Sequence, residues 1–119
     1  MPARHLDANV RHKPAAAIID LHGEINASAE ETLNAAYADA TRRDPATILL
    51  NFADVDYINS TGIALIVSLL AQARKSHRRL LAYGLSDHYV EIFQITRLSD
   101  FMNVFPDETS ALAAVPAVA

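Results

Sequence analysis

Ile48-Leu49-Leu50-Asn51-Phe52, followed by Asn59-Ser60-Thr61-Gly62-Ile63-Ala64-Leu65-Ile66-Val67-Ser68-Leu69-Leu70, is the stretch that decides the fold. Together with Thr47, the first run is apolar and β-branched in the manner of a buried central strand. A short acidic turn around Asp54 and Asp56 separates it from a segment with helical spacing. That order puts two adjacent hydroxyls, Ser60 and Thr61, at a helix N-terminus. There the backbone N–H groups lack intrahelical acceptors and the helix dipole favours an anion. A hydroxyl in that place serves either as a plain cap or as a phosphorylation switch.

Upstream, Val10 to Leu21 reads as two short strands parted by Lys13-Pro14, since proline cannot serve a central ladder. Asn26 or Ser28 can cap the next element, and Glu30-Glu31 suit its first turn. Leu33, Ala36, Tyr37 and Ala40 then recur at three and four on one face of a helix ending near Arg43. Downstream, the helix from Thr61 runs to about Ser76, and Arg79 to Tyr83 reads as a strand closed by Gly84. Asp87 can cap a helix through Ile95, and Phe101 to Phe105 reads as a last strand. Pro106-Asp107-Glu108 opens a terminal helix to about Ala114, and the tail 115–119 is expected to fray. The predicted fold is α/β: a mixed sheet of about five strands in the order β-β-α-β-α-β-α-β-α, with helices packed on it. Residues 1–119 are expected to form one domain.

Composition excludes several classes of function. Hydrophobic content of 51% and charged content of 20% are those of a globular chain. A net charge of −4 provides no basic field for nucleic acid. The basic run Arg74 to Arg79 falls where a helix C-terminus favours cations. With no cysteine there is no disulfide, thiolate metal site or thiol nucleophile. The N-terminus lacks the apolar core of a signal peptide, and Ile63 to Ala71 is far short of the roughly 20 residues that span a bilayer. A cytoplasmic protein without membrane insertion is expected.

The five histidines show no metal-ligand spacing, and Asp54 and Asp56 read as a solvated pair rather than a Mg²⁺ site. Gly23, Gly62 and Gly84 are too far apart for a phosphate-binding loop, and Ser60 is not in a G-x-S-x-G elbow. No metal, cofactor or catalytic set is predicted. Around the helix after Gly62, residues placed at about 100° intervals put Ile63, Ile66, Val67 and Leu70 on the core face. Leu65 and Leu69 then lie beside Ser68 and Gln72. Either another element covers these two leucines or they form an apolar partner surface next to the hydroxyls.

Gly23-Glu24-Ile25-Asn26 after one strand and Asn59-Ser60-Thr61-Gly62-Ile63 after another resemble the paired G-E-[IL]-D and D-S-[ST]-G turns of the STAS domain family, specifically bacterial anti-sigma-factor antagonists. Ile92-Phe93-Gln94-Ile95-Thr96-Arg97-Leu98-Ser99-Asp100-Phe101 resembles the family's L-F-x-x-T-G-L-x-x-x-F segment, so the likeness spans about residues 10–114. The chain departs from the family at Asn26 and Asn59, where aspartate is usual, and at Arg97 and Ser76-His77-Arg78, where glycines are usual.

The resemblance implies a protein-binding switch and not an enzyme. In the family the antagonist binds a serine/threonine kinase-type anti-sigma factor. That kinase phosphorylates the serine after the first turn residue, and a PP2C-type phosphatase reverses the step. Carried over by motif position, the acceptor is Ser60, with Thr61 the weaker candidate. Asn26, Asn59, Ser60, Thr61 and Gly62, with Leu65 and Leu69 from the helical wheel, form the expected partner site. Two other readings remain open. One is an unphosphorylated STAS scaffold in a stressosome or transporter complex. The other is a small-ligand or nucleotide sensor using the space between the Gly23 and Gly62 turns.

Overall fold

The structure, a computed structural model, describes residues 4–116. β1 (Asp7–His12) and β2 (Ala16–Ile25) form an antiparallel hairpin around Lys13-Pro14. β3 (Thr47–Ile58), β4 (Arg79–Tyr83) and β5 (Val104–Phe105) then add in chain order, each parallel to the strand before it. The crossovers are α1 (Glu30–Ala40), α2 (Ser60–Lys75) and α3 (Asp87–Ile95), and α4 (Glu108–Ala113) follows β5. This is the mixed five-stranded α/β sheet that the sequence predicts.

Alternate strand residues point to opposite faces, and the central strands are covered on both. Ile19, Ile48, Leu50, Phe52, Leu80 and Ala82 pack beneath α1, α2 and α3, where Leu33, Ala36, Tyr37 and Ala40 form the buried face of α1. Ile18, Leu49, Leu81 and Tyr83 meet Ala111 of α4 on the far side.

Beside α4 the far face turns polar. Asp20 accepts from Arg11 at 2.7 and 2.9 Å and from Asn51 at 2.7 Å. Arg11 also reaches Glu108, which accepts from the Tyr83 hydroxyl at 2.7 Å, so one network ties α4 to four strands. Burial alone pushes the Asp20 carboxyl up, but hydrogen bonds from Arg11 and Asn51 outweigh it and hold the group below its ordinary value. The Arg11 bond, then the Tyr83 bond, does the same for Glu108. Burial and the bond to Glu108 push the Tyr83 hydroxyl up.

Several boundaries differ from expectation: β1 begins at Asp7 and not Val10, and β2 runs past Leu21 to Ile25. β3 does not end at Phe52 in an acidic turn but continues to Ile58, paired with β2 alone beyond Asn51. Two register shifts interrupt the ladder, so Phe52, Val55 and Ile58 turn inward at intervals of three and the period-two signal of a strand is lost. Asp54 and Asp56 are paired, with His22 at 2.8 Å and Arg4 at 2.7 Å. The last strand is only Val104–Phe105, because Leu98–Asp100 forms a 3-10 turn that buries Leu98 and Met102. Ser86, not Asp87, caps α3.

The positions that depart from the family's glycines have a local cost. His77 and Arg97 adopt left-handed backbone at φ 59° and 64°. His77 closes α2 in a Schellman motif, with the Arg78 N–H on the Ala73 carbonyl at 2.8 Å and its own N–H on Arg74 at 3.1 Å. Arg97 stands just after the C-cap of α3. The basic run lies at the end of α2 as expected, with Arg74 over the Phe101 ring and Arg78 paired to Asp44 at 2.9 Å. No helix among the described residues is long and apolar enough to cross a membrane.

Candidate functional site

Asn59 leaves β3 in extended conformation, and its side-chain oxygen accepts from the Gly62 N–H at 2.8 Å. The helix cap is therefore the asparagine and neither hydroxyl. Ser60 and Thr61 are the first two residues of α2, both exposed, at the positive end of the dipole. The first of the two readings of these hydroxyls, a plain cap, is thus taken over by their neighbour.

The second turn lies against the first. Asn59 N–H donates to the Ile25 carbonyl at 3.2 Å, joining the end of β3 to the end of β2. Gly62 is buried on the same carbonyl: a Cβ there would land on the Ile25 oxygen and 2.8 Å from its carbon. Glycine is needed here for close approach and not for an unusual φ. Asn26, the residue after Ile25, caps the 3-10 turn Ala27–Ala29 by accepting from Ser28 N–H at 3.0 Å and Ser28 hydroxyl at 2.6 Å. Asn26, Asn59, Ser60, Thr61 and Gly62 are brought together as expected, with Gly62 beneath the surface and not on it.

Each of the two glycine turns rests on neighbouring backbone. Gly23, at φ +115°, sits against the His5 carbonyl while Gly62 sits against Ile25.

Leu65 and Leu69, expected from sequence on the partner surface, both pack toward the core. Leu69 is 1% exposed within the core, and Leu65 is half-buried against it. The inward stripe of α2 is Gly62, Ile66, Leu69, Leu70 and Ala73, about 65° around the helix from the face that hydrophobicity alone selects. Val67, assigned to the core from sequence, is 47% exposed. The outward stripe runs from Ser60 through Ala64, Val67, Ser68 and Ala71, with Tyr57 exposed just before the helix. The signal for this rotation was present in the small residues Gly62 and Ala73, which mark where the helix closes on its neighbours.

One positioning residue was missed from sequence. The buried Tyr89 of α3 accepts through its hydroxyl from the Ile58 N–H at 2.8 Å, fixing the strand end that leads into Asn59. A buried tyrosine must find a partner for its hydroxyl, which is the clue a sequence offers.

A family model described as STAS domain matches residues 7–111, and the chain belongs to that family. It is 30% identical over 97 residues to BtrV of Bordetella bronchiseptica, a protein named as a candidate anti-sigma factor antagonist, covering 82% of this chain and 81% of the relative. It is 36% identical to an anti-sigma-B factor antagonist of Staphylococcus aureus over 63% of this chain and 66% of the relative, just under two thirds of that protein's length. The solved structure of the Bacillus cell fate determinant SpoIIAA in its phosphorylated form has the same fold. Its TM-score is 0.68 at 21% identity over 89% of this chain and 96% of that one.

Proposed function

We propose that this chain is an anti-sigma factor antagonist: it binds a serine/threonine kinase-type anti-sigma factor through the N-terminal half of α2, and is released when that kinase phosphorylates Ser60. The observation that carries the reading is the division of labour at the helix start. Asn59 supplies the cap, which leaves the exposed Ser60 hydroxyl without a structural task. A relative within the fold is known in a phosphorylated form, which fits.

The physics of such a switch is local. A phosphate adds about −1.5 to −2 charges at a helix N-terminus, where the dipole tolerates them. The fold survives, while bulk and charge arrive beside Ala64, Val67 and the Asn26 turn and disrupt a docked partner. The chain is then a kinase's substrate and not itself an enzyme, and a PP2C-type phosphatase resets it in the cytoplasm. Incubation with the cognate kinase and ATP, with mass-spectrometric mapping, tests this. Modification is expected at Ser60; modification at Thr61 alone, or nowhere, overturns the assignment. Ser60→Ala is expected to keep binding the partner, and Ser60→Asp to weaken it at a stability cost below about 1 kcal/mol.

A second reading, a scaffold that binds its partner constitutively, draws on the two asparagines: both act as caps and neither brings a carboxylate to the site. Asn26→Asp with Asn59→Asp separates the readings. A faster kinase reaction in the double variant favours a switch weakened by the asparagines; no reaction in either protein favours the scaffold.

A further inference from the structure

The end of the sheet remote from Ser60, where the parallel strands begin, holds an open cleft of about 690 Å³. The β1–β2 hairpin, the loop from α1 into β3, and Pro116 form its walls. Its volume lies in the range of small-molecule sites, roughly 300–1,000 Å³. Nothing in the switch described above uses it.

Its lining is chemically incomplete. Thr47, on the cleft, is fully buried, yet its hydroxyl has no hydrogen-bond partner, and the His12 Nδ1 is buried without one. Arg78 braces the cleft wall, donating to the Pro45 carbonyl at 2.6 Å and pairing with Asp44 at 2.9 Å. Buried polar groups are satisfied in the great majority of cases, so two unpaired ones beside one cleft single out this end of the fold.

The charges say which occupant. Lys13 and Arg43 line the cleft, and neither has an ion-pair partner among the described residues. Asp44, the one carboxylate in the lining, is already held by Arg78. In a chain of net charge −4, this leaves two free cations around one opening, with the buried Thr47 hydroxyl and His12 Nδ1 in the wall behind them. Arginine's fork matches a carboxylate or a phosphate, and the further oxygens of a phosphate can also take a second, separate cation such as Lys13. Pro14, Ala15, Pro45 and Pro116 add apolar wall for an organic body.

We infer that this cleft binds a small phosphate-bearing molecule, with Lys13 and Arg43 as its charged contacts and Thr47 and His12 in the wall behind them, at a site separate from the Ser60 switch.

The test is a titration of the full chain at constant ionic strength, followed by amide proton–nitrogen correlation spectra. Inorganic phosphate is the probe, with succinate as the carboxylate arm and no kinase present. Saturable shifts at His12 to Ala16 and Arg43 to Thr47, tighter for phosphate than for succinate, are expected. Lys13→Gln with Arg43→Gln removes only exposed, unpaired charges and is expected to weaken phosphate binding about tenfold or more. Shifts that never saturate, or an affinity unchanged in the double variant, overturn the proposal and return the orphaned groups to ordinary water. Succinate binding as tightly as phosphate overturns the assignment to a phosphate.

Discussion

The backbone N–H of Asn59 bonds to the carbonyl of Ile25 at 3.2 Å, and three residues later Gly62 rests on that same carbonyl. One peptide unit at the end of β2 thus holds both the cap and the first turn of α2. The turn that presents Ser60 is fixed to the turn that presents Asn26, and the surface is preorganised without either serine or threonine taking part.

Gly62→Ala tests that contact. Alanine gains about 1 kcal/mol in helix propensity, but overpacking costs about 1–3 kcal/mol. The atoms in the way are strand backbone and not a flexible side chain. Urea unfolding is expected to show a net loss of about 1 kcal/mol or more; an unchanged or raised free energy would mean that the β2 end yields to the helix.

Leu69→Ala and Val67→Ala should behave oppositely. Leu69 is buried, and its truncation is expected to cost about 2–5 kcal/mol of stability. Val67 is half-exposed on the Ser60 stripe, so truncation should stay within about 0.5 kcal/mol while lowering affinity for the partner. Paired unfolding and binding measurements decide; a Val67 variant that binds like the parent removes that residue from the partner surface.

Arg97→Gly and His77→Gly restore glycine where the backbone is left-handed. Left-handed conformation costs a side-chain-bearing residue roughly 1–2 kcal/mol, against about 0.4–1 kcal/mol of extra unfolded-chain entropy from glycine. Each is expected to raise stability by about 0.5 kcal/mol. The exposed Arg97–Asp100 pair lost in the first is worth little. Lower melting temperatures for both variants would show that the strain is absent.

The Arg11 network should make stability fall on both sides of neutrality. Asp20 and Glu108 titrate below their ordinary values in the folded chain. Their contribution is therefore complete above the unfolded values of about 4 and is lost as pH falls through the folded ones. Tyr83 is raised, so its contribution is complete below about 10 and is lost as pH climbs further. Urea unfolding across pH is expected to give a plateau with two descending limbs. Arg11→Gln should flatten the acid limb; an identical limb in that variant would exclude the network as its cause.

Much of the Asn59–Gly62 region was legible because its signals are local. Thr47 to Phe52 could be read as a buried strand, Leu33 to Ala40 as one helical face, and Asn-Ser-Thr-Gly as a helix start, since contiguous apolar period and capping chemistry are properties of neighbouring residues. The extension of β3 to Ile58 was hidden because bulges against β2 break the period on which strand recognition rests.

The sequence by itself determined the element order, the mixed sheet, the family, and the placing of Ser60 at a helix N-terminus. Tertiary structure alone decided how α2 is rotated, since that depends on how closely Gly62 and Ala73 let the helix approach, and not on which residues are most apolar. It also decided that Tyr89 reaches across from α3 to hold the strand end. The remote cleft is the extreme case. It gathers residues 12–16, 43–47 and 116, which no local pattern connects, because only the parallel register of β2 and β3 brings their starting ends together.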